Sequence, residues 1–397
     1  MLKFWIWLTS LRGLTNQSRL ALLRHFGSPE DIYYADQGEI LLADGITREQ
    51  ADLLKDHKLD TAEKILGDCQ RLGQHIMTIS DAAYPDRLRN IYDPPCLLYW
   101  QGHMPAFDDE VAVAVVGTRK CTPYGLSCAG KLGYGLAAGG GLVVSGLASG
   151  IDGEALRGAL RAGGVTAGVA GCGLDVKYPY ENRYLYDDVA ATGVLLSEYP
   201  PGAPAYGRHF PVRNRILSGL CAATLVVEAP ERSGALITAN TAIEQGRDVF
   251  VVPGPVDAPA SVGCNRLIRD GVGVVTEAWD LLGEYEERFP GKLRRRDSRQ
   301  QPKTLGYQAR QLEEARPLEQ ARPVPPTLDL KEKNLTDDQM ALLRLLSEQE
   351  PALVDDLIEQ SGIPARRVLS ALTVLEIEEL VRQHSGKRYT RAVSIPE

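Results

Sequence analysis

The sequence is poor in the features that mark disulfide frames, metal centres and membrane spans. Seven cysteines occur among 397 residues, and none of them forms a C-x-x-C pair. Because several lie in apolar runs or beside glycines, we expect reduced thiols of a cytoplasmic protein, with no disulfide frame and no zinc or other metal site. No apolar run reaches membrane-spanning length, and the opening stretch MLKFWIWLTSL lacks a small-residue cleavage site. We therefore expect a first helix there, and no membrane partner.

An excess of positive charge is also missing. The formal net charge is −8 at pH 7, which argues against a surface coated for duplex DNA or anionic lipid. Any contact with nucleic acid must therefore come from a local basic patch. A chain of 397 residues is too long for one ordinary hydrophobic core, so the length predicts two or three domains.

Motifs for nucleotide cofactors are absent as well. The apolar run at 111–116 is followed by GTRKCTPYG instead of G-x-G-x-x-G, and Gly171-Cys172-Gly173 has no third glycine. No Walker lysine motif occurs anywhere in the chain. We expect no cofactor.

Catalytic constellations are equally scarce. The six histidines are scattered, and the candidate serines have no obvious His/Asp partner set. Glu228 ends a predicted strand, where a base could stand, but no nucleophile motif accompanies it. We predict no catalytic residue and no enzymatic activity. The alternative is a Rossmann-like nucleotide-cleaving hydrolase, although the PGGxGT-type loop of such enzymes is absent.

From residue 111 onward, the chain does contain an alternation of apolar strands and helices. The predicted strands are 111–116, 142–146, 165–171, 194–200, 223–229, 248–254 and 272–276. Short apolar runs rich in β-branched residues are typical of strands that are buried on both faces of a parallel sheet. We predict an α/β fold with a Rossmann-like, doubly wound parallel sheet over residues 81–288. Such sheets bind ligands at the carboxyl ends of their strands.

Three further segments flank this sheet. Residues 1–80 predict a small all-α module, similar to SAM or helix-hairpin-helix modules, with Ser28 and Thr47 as helix caps. Residues 289–334 are rich in charge, glutamine and proline, which predicts a flexible linker. Residues 335–397 predict three helices and a two-stranded wing that turns at Ser385-Gly386, the pattern of a winged helix. Because this module carries many acidic residues, its partner can be either DNA or a protein.

Small and cationic residues follow several strands of the predicted sheet. GTR at 117–119 and SGLASGID at 145–152 each follow a strand, RHFPVRNR covers 208–215, and Ser233-Gly234 opens a helical pattern. Free backbone N–H groups at helix starts and glycine turns bind anions, and guanidinium groups bind phosphate in a two-pronged way. Four such loops at one sheet edge predict an extended phosphate track, with Tyr178, Tyr180 and Phe210 near it as stacking surfaces for bases.

Structural roles compete with these interpretations. A single arginine of the cluster can pair with core carboxylates and hold a helix to the sheet. Asp152 suits a helix cap as well as a ligand site. Phe210, beside Pro211, suits a core anchor as well as a stacking platform.

The motifs also occur in a familiar order, VAVVGTR, VVSGLASGID, GVTAGVAGCGLDVKYPYEN, LLSEYPP, FPVRNRILSGL, VVEAPERSGALITA, VFVVPG and GCNRLIRDG. Over roughly residues 80–280 the chain resembles the DNA processing protein A family (DprA, also called Smf). The resemblance implies a non-enzymatic protein that binds single-stranded DNA, shields incoming DNA during natural transformation and helps to load the RecA recombinase. It also implies a homodimer that forms through the Rossmann-like domain.

Carried over position by position, the resemblance places a phosphate contact at Arg119 and further contacts in the other motifs. Together with the track, the predicted nucleic-acid-binding residues are Gly117, Thr118, Arg119, Ser145, Gly146, Ala148, Gly150, Asp152, Arg208, Phe210, Arg213, Asn214, Arg215, Ser233, Gly234, Thr238 and Asn265. Three positions depart from the family pattern. Leu156 stands where a histidine is usual, Tyr180 where a lysine or arginine is common, and Ala235 where the family has a serine.

Overall fold

The computed structural model describes residues 1–295, 335–347, 352–378, 380–384 and 388–393. The chain divides into two units, Met1–Lys303 and Thr304–Glu397, and each is described by itself. Residues 296–334 of the predicted linker, and the predicted wing turn at Ser385-Gly386, lie outside the described residues.

Six helices precede the sheet. They are α1 (Leu2–Ser10), α2 (Asn16–Phe26), α3 (Pro29–Tyr34), α4 (Gln37–Ile40), α5 (Arg48–Leu53) and α6 (Asp60–Leu72). Both predicted caps are confirmed, because Ser28 accepts a hydrogen bond from the Asp31 amide and Thr47 accepts one from the Gln50 amide. None of the described helices is long and apolar enough to cross a lipid bilayer.

A nine-stranded sheet forms the centre of the first unit. Its strands are β1 (His75–Thr78), β2 (Leu97–Gly102), β3 (Ala112–Val116), β4 (Leu142–Ser145), β5 (Thr166–Ala170), β6 (Val194–Ser197), β7 (Ala223–Val226), β8 (Asp248–Val251) and β9 (Gly273–Val274). The order is β1-β2-β6-β5-β4-β3-β7-β8-β9. All pairings from β3 to β9 are parallel, which confirms the predicted Rossmann-like sheet.

The edge beyond β6 differs from the sequence-based expectation. No strand is predicted before residue 111, but LLYWQG at 97–102 forms β2, which pairs antiparallel with β6 and with β1. The sheet thus begins at His75, before the predicted domain boundary at residue 80. The division into an N-terminal module and a central domain stays a prediction.

Eight helices accompany the strands. They are α7 (Asp86–Arg89), α8 (Pro123–Ala138), α9 (Ile151–Arg161), α10 (Arg183–Thr192), α11 (His209–Gly219), α12 (Gly234–Glu244), α13 (Val262–Arg269) and α14 (Ala278–Leu282). RHFPVRNR does not form the predicted loop. His209 already begins α11, and Pro211 lies in the first turn of this helix. Proline is tolerated there because the first amides of a helix have no partner within the helix.

Helices α8 and α9 pack backbone to backbone. A side chain at Gly133 would collide with the Ala155 carbonyl oxygen, and one at Gly158 would collide with the Gly130 carbonyl oxygen. Only glycine permits this approach, which lets both helices cover the same region of the sheet. The glycines of SCAGKLGYG are therefore packing residues.

The second unit contains α15 (Asp337–Leu345), β10 (Ala352–Leu353), α16 (Val354–Ser361), α17 (Ala365–Ile377), β11 (Val381–His384) and β12 (Arg388–Arg391). The three strands pair antiparallel in the order β10-β12-β11. Leu342, Leu357 and Leu372 are fully buried between the helices and the strands. The predicted winged helix is thereby confirmed. Arg367, in the first turn of α17, pairs with Asp338 of α15 at 2.7 Å.

The contact between α8 and α9 makes a testable prediction about stability. Gly158→Ala should lower the free energy of unfolding by about 1–3 kcal/mol, because the new methyl group must push the two helices apart. Gly67→Ala in α6 is the matched control. Its Cβ would meet nothing within 4 Å, so the helix should gain about 0.5–1 kcal/mol. Urea denaturation of both variants measures these changes, and equal effects would contradict the packing role.

Candidate nucleic-acid interface

A groove of about 680 Å³ lies at the carboxyl ends of β3, β4 and β7. Its walls come from the loops after these strands, from the first turns of α11 and from the start of α12. Most of the predicted binding residues line it, namely Gly117, Thr118, Arg119, Gly146, Ala148, Asp152, Phe210, Arg213, Asn214, Ser233, Gly234 and Thr238. The fold therefore brings together residues that are far apart in the sequence.

Arg119 supplies the groove with an exposed positive charge. Its guanidinium carbon lies 4.9 Å from the centroid of the Phe210 ring, a cation–π distance. Among the described residues, no carboxylate lies within ion-pair distance of Arg119. The guanidinium thus keeps its donors available while the ring holds it at the wall of the groove. A phosphate group can accept two parallel N–H hydrogen bonds from such a guanidinium.

Arg213 lies beneath this surface and only 4% of it is exposed. It donates a hydrogen bond to the Val169 carbonyl oxygen. The carboxylate of Asp152, also buried, accepts a hydrogen bond from the Gly146 amide at 3.1 Å. Both side chains contact the space that a Cβ at Gly146 would fill, so glycine is required there.

The two buried groups stabilise one another's charge. Burial raises the pKa of Asp152 above its ordinary value, although the Arg213 guanidinium opposes this change. Burial lowers the pKa of Arg213, and Asp152 opposes that change in turn. Because the pair is close to neutral as a whole, Arg213 shapes the floor of the groove more than it charges it.

The start of α12 forms the opposite wall. Ser233 caps the helix by accepting a hydrogen bond from the Ala235 amide at 3.2 Å, and a Cβ at Gly234 would meet nothing within 4 Å. The Leu236 amide donates to the Ser233 carbonyl oxygen at 3.1 Å, and the first-turn amides together carry the positive end of the helix dipole. This end of the groove favours an anion. The Thr238 hydroxyl is directed elsewhere, because it donates to the Gly234 carbonyl oxygen.

Sequence reasoning missed two cations of the groove. Lys120 and Arg232 both line it, and both are exposed. Each is adjacent to a predicted motif, since Lys120 follows GTR and Arg232 precedes Ser233. A basic residue directly beside a predicted ligand-binding motif was therefore the sequence signal that could have identified them.

Arg215 lies outside the groove, in contrast to the prediction. Its side chain is only 11% exposed and it bonds to Asp93 at 2.9 Å and to Glu198 at 2.6 Å. Asp93 also accepts a hydrogen bond from Asn16 of α2. The structural alternative for the arginine cluster therefore holds for Arg215, which fastens α11 to the sheet edge and to the N-terminal helices.

Two further predicted residues are engaged by the backbone. Ser145 is fully buried and donates to the Val115 carbonyl oxygen at 2.6 Å. Asn265 donates to the Gly254 carbonyl oxygen at 3.1 Å, which closes the loop after β8. Neither side chain lines the groove, and their hydrogen bonds explain why these loops hold their shape.

Gly150 and Arg208 lie at the margin. Gly150 precedes α9 with φ of +77°, and a Cβ there would contact the Thr118 and Arg119 carbonyls, so it supports the GTR loop. Arg208 stands 5.0 Å from the exposed Tyr206 ring. Neither residue is part of the groove lining.

The departures from the family pattern, and the candidate base, have structural explanations. Leu156 is fully buried and belongs to the core, whereas Tyr180 is exposed. Ala235 is buried in the first turn of α12.

The buried carboxylate of Glu228 accepts hydrogen bonds from the Thr122 hydroxyl at 2.6 Å and from the Thr122 amide at 2.8 Å. Glu228 thus holds the start of α8.

Comparison with known proteins agrees with this geometry. The family model described as DNA recombination-mediator protein A matches residues 75–286, more than half of the chain. The chain belongs to this family. A second model, the DprA winged helix domain, matches residues 321–387.

Individual relatives lead to the same assignment. Protein Smf of Synechocystis sp. is 36% identical over 335 residues, which covers 83% of each chain. DNA processing protein DprA of Streptococcus pneumoniae is 38% identical over 283 residues, 69% of this chain and 95% of that protein. The X-ray structure of DprA from Streptococcus pneumoniae covers 72% of this chain and 98% of its own, with 36% identity and a TM-score of 0.64. The Streptococcus pneumoniae protein is named for DNA processing.

The separate positions of Arg215 and Arg119 generate a second prediction. Arg215→Ala should lower the free energy of unfolding by about 3–5 kcal/mol, because it leaves two carboxylates partly buried without their cation. Arg119→Ala should change it by no more than about 0.5 kcal/mol, since the side chain is exposed. Urea denaturation of both variants measures this. Similar losses would show that Arg119 also holds the fold together.

Proposed function

We propose that the chain is a sequence-tolerant single-stranded DNA-binding protein. The observation that carries this proposal is the exposed Arg119 guanidinium, which lies against Phe210 in a groove that also contains Lys120, Arg232 and the start of α12. Cations and backbone amides suit the phosphates of the strand, and the ring face suits a base. These groups bind every nucleotide alike, so little sequence preference is expected.

The same groups favour an unpaired strand over a duplex. A base can stack on a protein ring only when it is free of its neighbours. The net charge of −8 offers duplex DNA no broad basic surface. A flexible strand, however, can follow a local groove of positive potential within an otherwise acidic molecule. We expect the chain to act by binding, without catalysis.

Family membership supports the wider role. We propose that the chain protects incoming DNA during natural transformation, loads the RecA recombinase and works in the cytoplasm as a homodimer formed through the Rossmann-like unit. The family description, DNA recombination-mediator protein A, supports a role in recombination. Sedimentation velocity tests the dimer, and RecA binding to protein-coated single strands tests the loading. A monomer at all concentrations, or unchanged RecA binding, would contradict the respective step.

Salt-dependent binding provides the third prediction. The logarithm of the affinity for a single-stranded oligonucleotide should fall with the logarithm of salt concentration, with a slope of about −0.7 per neutralised phosphate. Arg119→Glu should weaken binding about tenfold for every sequence and flatten the slope, because it removes a phosphate contact and adds a repulsive charge. Mobility shifts with single- and double-stranded oligonucleotides across a salt series measure both effects.

The matched control is Arg269→Glu, which makes the same change of charge at an exposed position outside the groove. It should leave the affinity close to that of the wild type, because solvent and salt screen a distant surface charge. Equal losses in the two variants would trace the effect to net charge alone. Binding that ignores salt and survives Arg119→Glu would exclude the groove as the site.

A further inference from the structure

An exposed cluster of rings lies on the segment that follows β5. Tyr180 and Tyr184 are 74% and 56% exposed. The guanidinium carbon of Arg183 lies 4.3 Å from the centroid of the Tyr180 ring and 4.1 Å from that of the Tyr184 ring. These three residues are called the tyrosine–arginine patch here. Most of its aromatic surface therefore faces solvent, which is uncommon for large rings without a partner.

The patch adjoins the groove through the chain itself. Tyr178, two residues before Tyr180, lines the groove, and its ring centroid lies 5.5 Å from that of Phe210. Phe210 in turn makes the cation–π contact with Arg119. A series of rings and cations thus begins inside the groove and leads toward the patch along the same sheet edge.

The base of the patch is firmly attached to the groove. Asn182, buried between Tyr180 and Arg183, donates hydrogen bonds of 2.9 Å to the carbonyl oxygens of Leu147 and Ala148. It also accepts one of 2.6 Å from Arg157. Because Ala148 itself lines the groove, these hydrogen bonds join the segment that carries the patch to a loop of the groove. Rings held in this way lose little conformational entropy when a ligand binds.

The chemistry of the patch selects its ligand. Within the part of the chain that the structure describes, no ion pair involves Arg183, so its charge is open to an anion. Flat π-faces beside an open cation suit a base together with its phosphate. A duplex offers no free base faces except at its ends. An unpaired strand offers one at every nucleotide.

We propose that Tyr180, Arg183 and Tyr184 form a second stacking site, which binds one or two unpaired bases of the strand as it leaves the groove. This inference rests on the proposed function and adds a position to it. In this arrangement the groove holds phosphates and the patch holds bases. Only strands long enough to reach beyond Tyr178 use the patch.

The test measures the affinity of the full chain for fluorescently labelled oligothymidylates of increasing length. The variant is Tyr180→Ala with Tyr184→Ala. It should bind short strands as the wild type does and bind long strands about tenfold more weakly, because stacking of a base is lost. The slope against salt should not change, since no charge is removed. Tyr180→Phe with Tyr184→Phe should keep wild-type affinity, because the rings remain.

Controls separate this inference from the function on which it rests. Tyr92→Ala removes a ring that is 89% exposed elsewhere and should bind all lengths as the wild type does. Long strands with abasic nucleotides at the end that reaches the patch should bind wild type and double alanine variant equally.

The possible outcomes are distinct. If the alanine variant matches the wild type at every length while Arg119→Glu weakens all of them, the patch is not a base site and the groove proposal stands. If the wild type binds no single strand, both proposals fail together. If the alanine variant loses the same affinity at every strand length, the patch proposal is also contradicted, because the two tyrosines would then act inside the groove.

Discussion

The parallel order of β3 to β9 is the constraint on which the site depends. In a parallel sheet the carboxyl ends of all strands meet at one edge, and right-handed crossovers place the connecting helices on fixed faces. From β3 the chain proceeds to β4 on one side, while β7 pairs with its other side. This reversal at β3 opens a crevice between the loops after β3 and β7. Arg119 and Ser233 face one another there because of strand order, not because of proximity in the sequence.

Helix geometry divides the arginines of one short motif between two tasks. Arg213 and Arg215 are two residues apart in α11, so their side chains leave the helix roughly 200° apart. Arg213 therefore reaches the floor of the groove, whereas Arg215 reaches Asp93 and Glu198 on the other side. The motif thus contributes one arginine to the groove and one to the stability of the fold. A residue's membership in a motif does not reveal which of the two it serves.

The sequence was sufficient for the parts that depend on local patterns. Apolar runs predicted β3 to β9, and Ser28 and Thr47 were correctly predicted as caps, because strands buried on both faces and helix caps have local signatures. The strand β2 was missed, since its pairing with β6 depends on a distant partner. The start of α11 was missed because its polar first turns show no helical periodicity. The ion-pair partner Asp93 lies 122 residues from Arg215 in the sequence, so no local pattern reveals their contact.

The site thus separates shape from charge. The buried pair of Arg213 and Asp152, with Gly146 between them, fixes the floor while adding little net charge. The exposed Arg119 adds charge without supporting the fold. This separation explains how a molecule with a net charge of −8 can present a positive groove, because the exposed Arg119, Lys120 and Arg232 converge on one edge. It is also the basis of the sequence tolerance that we propose, since amides, guanidinium groups and ring faces contact what all nucleotides share.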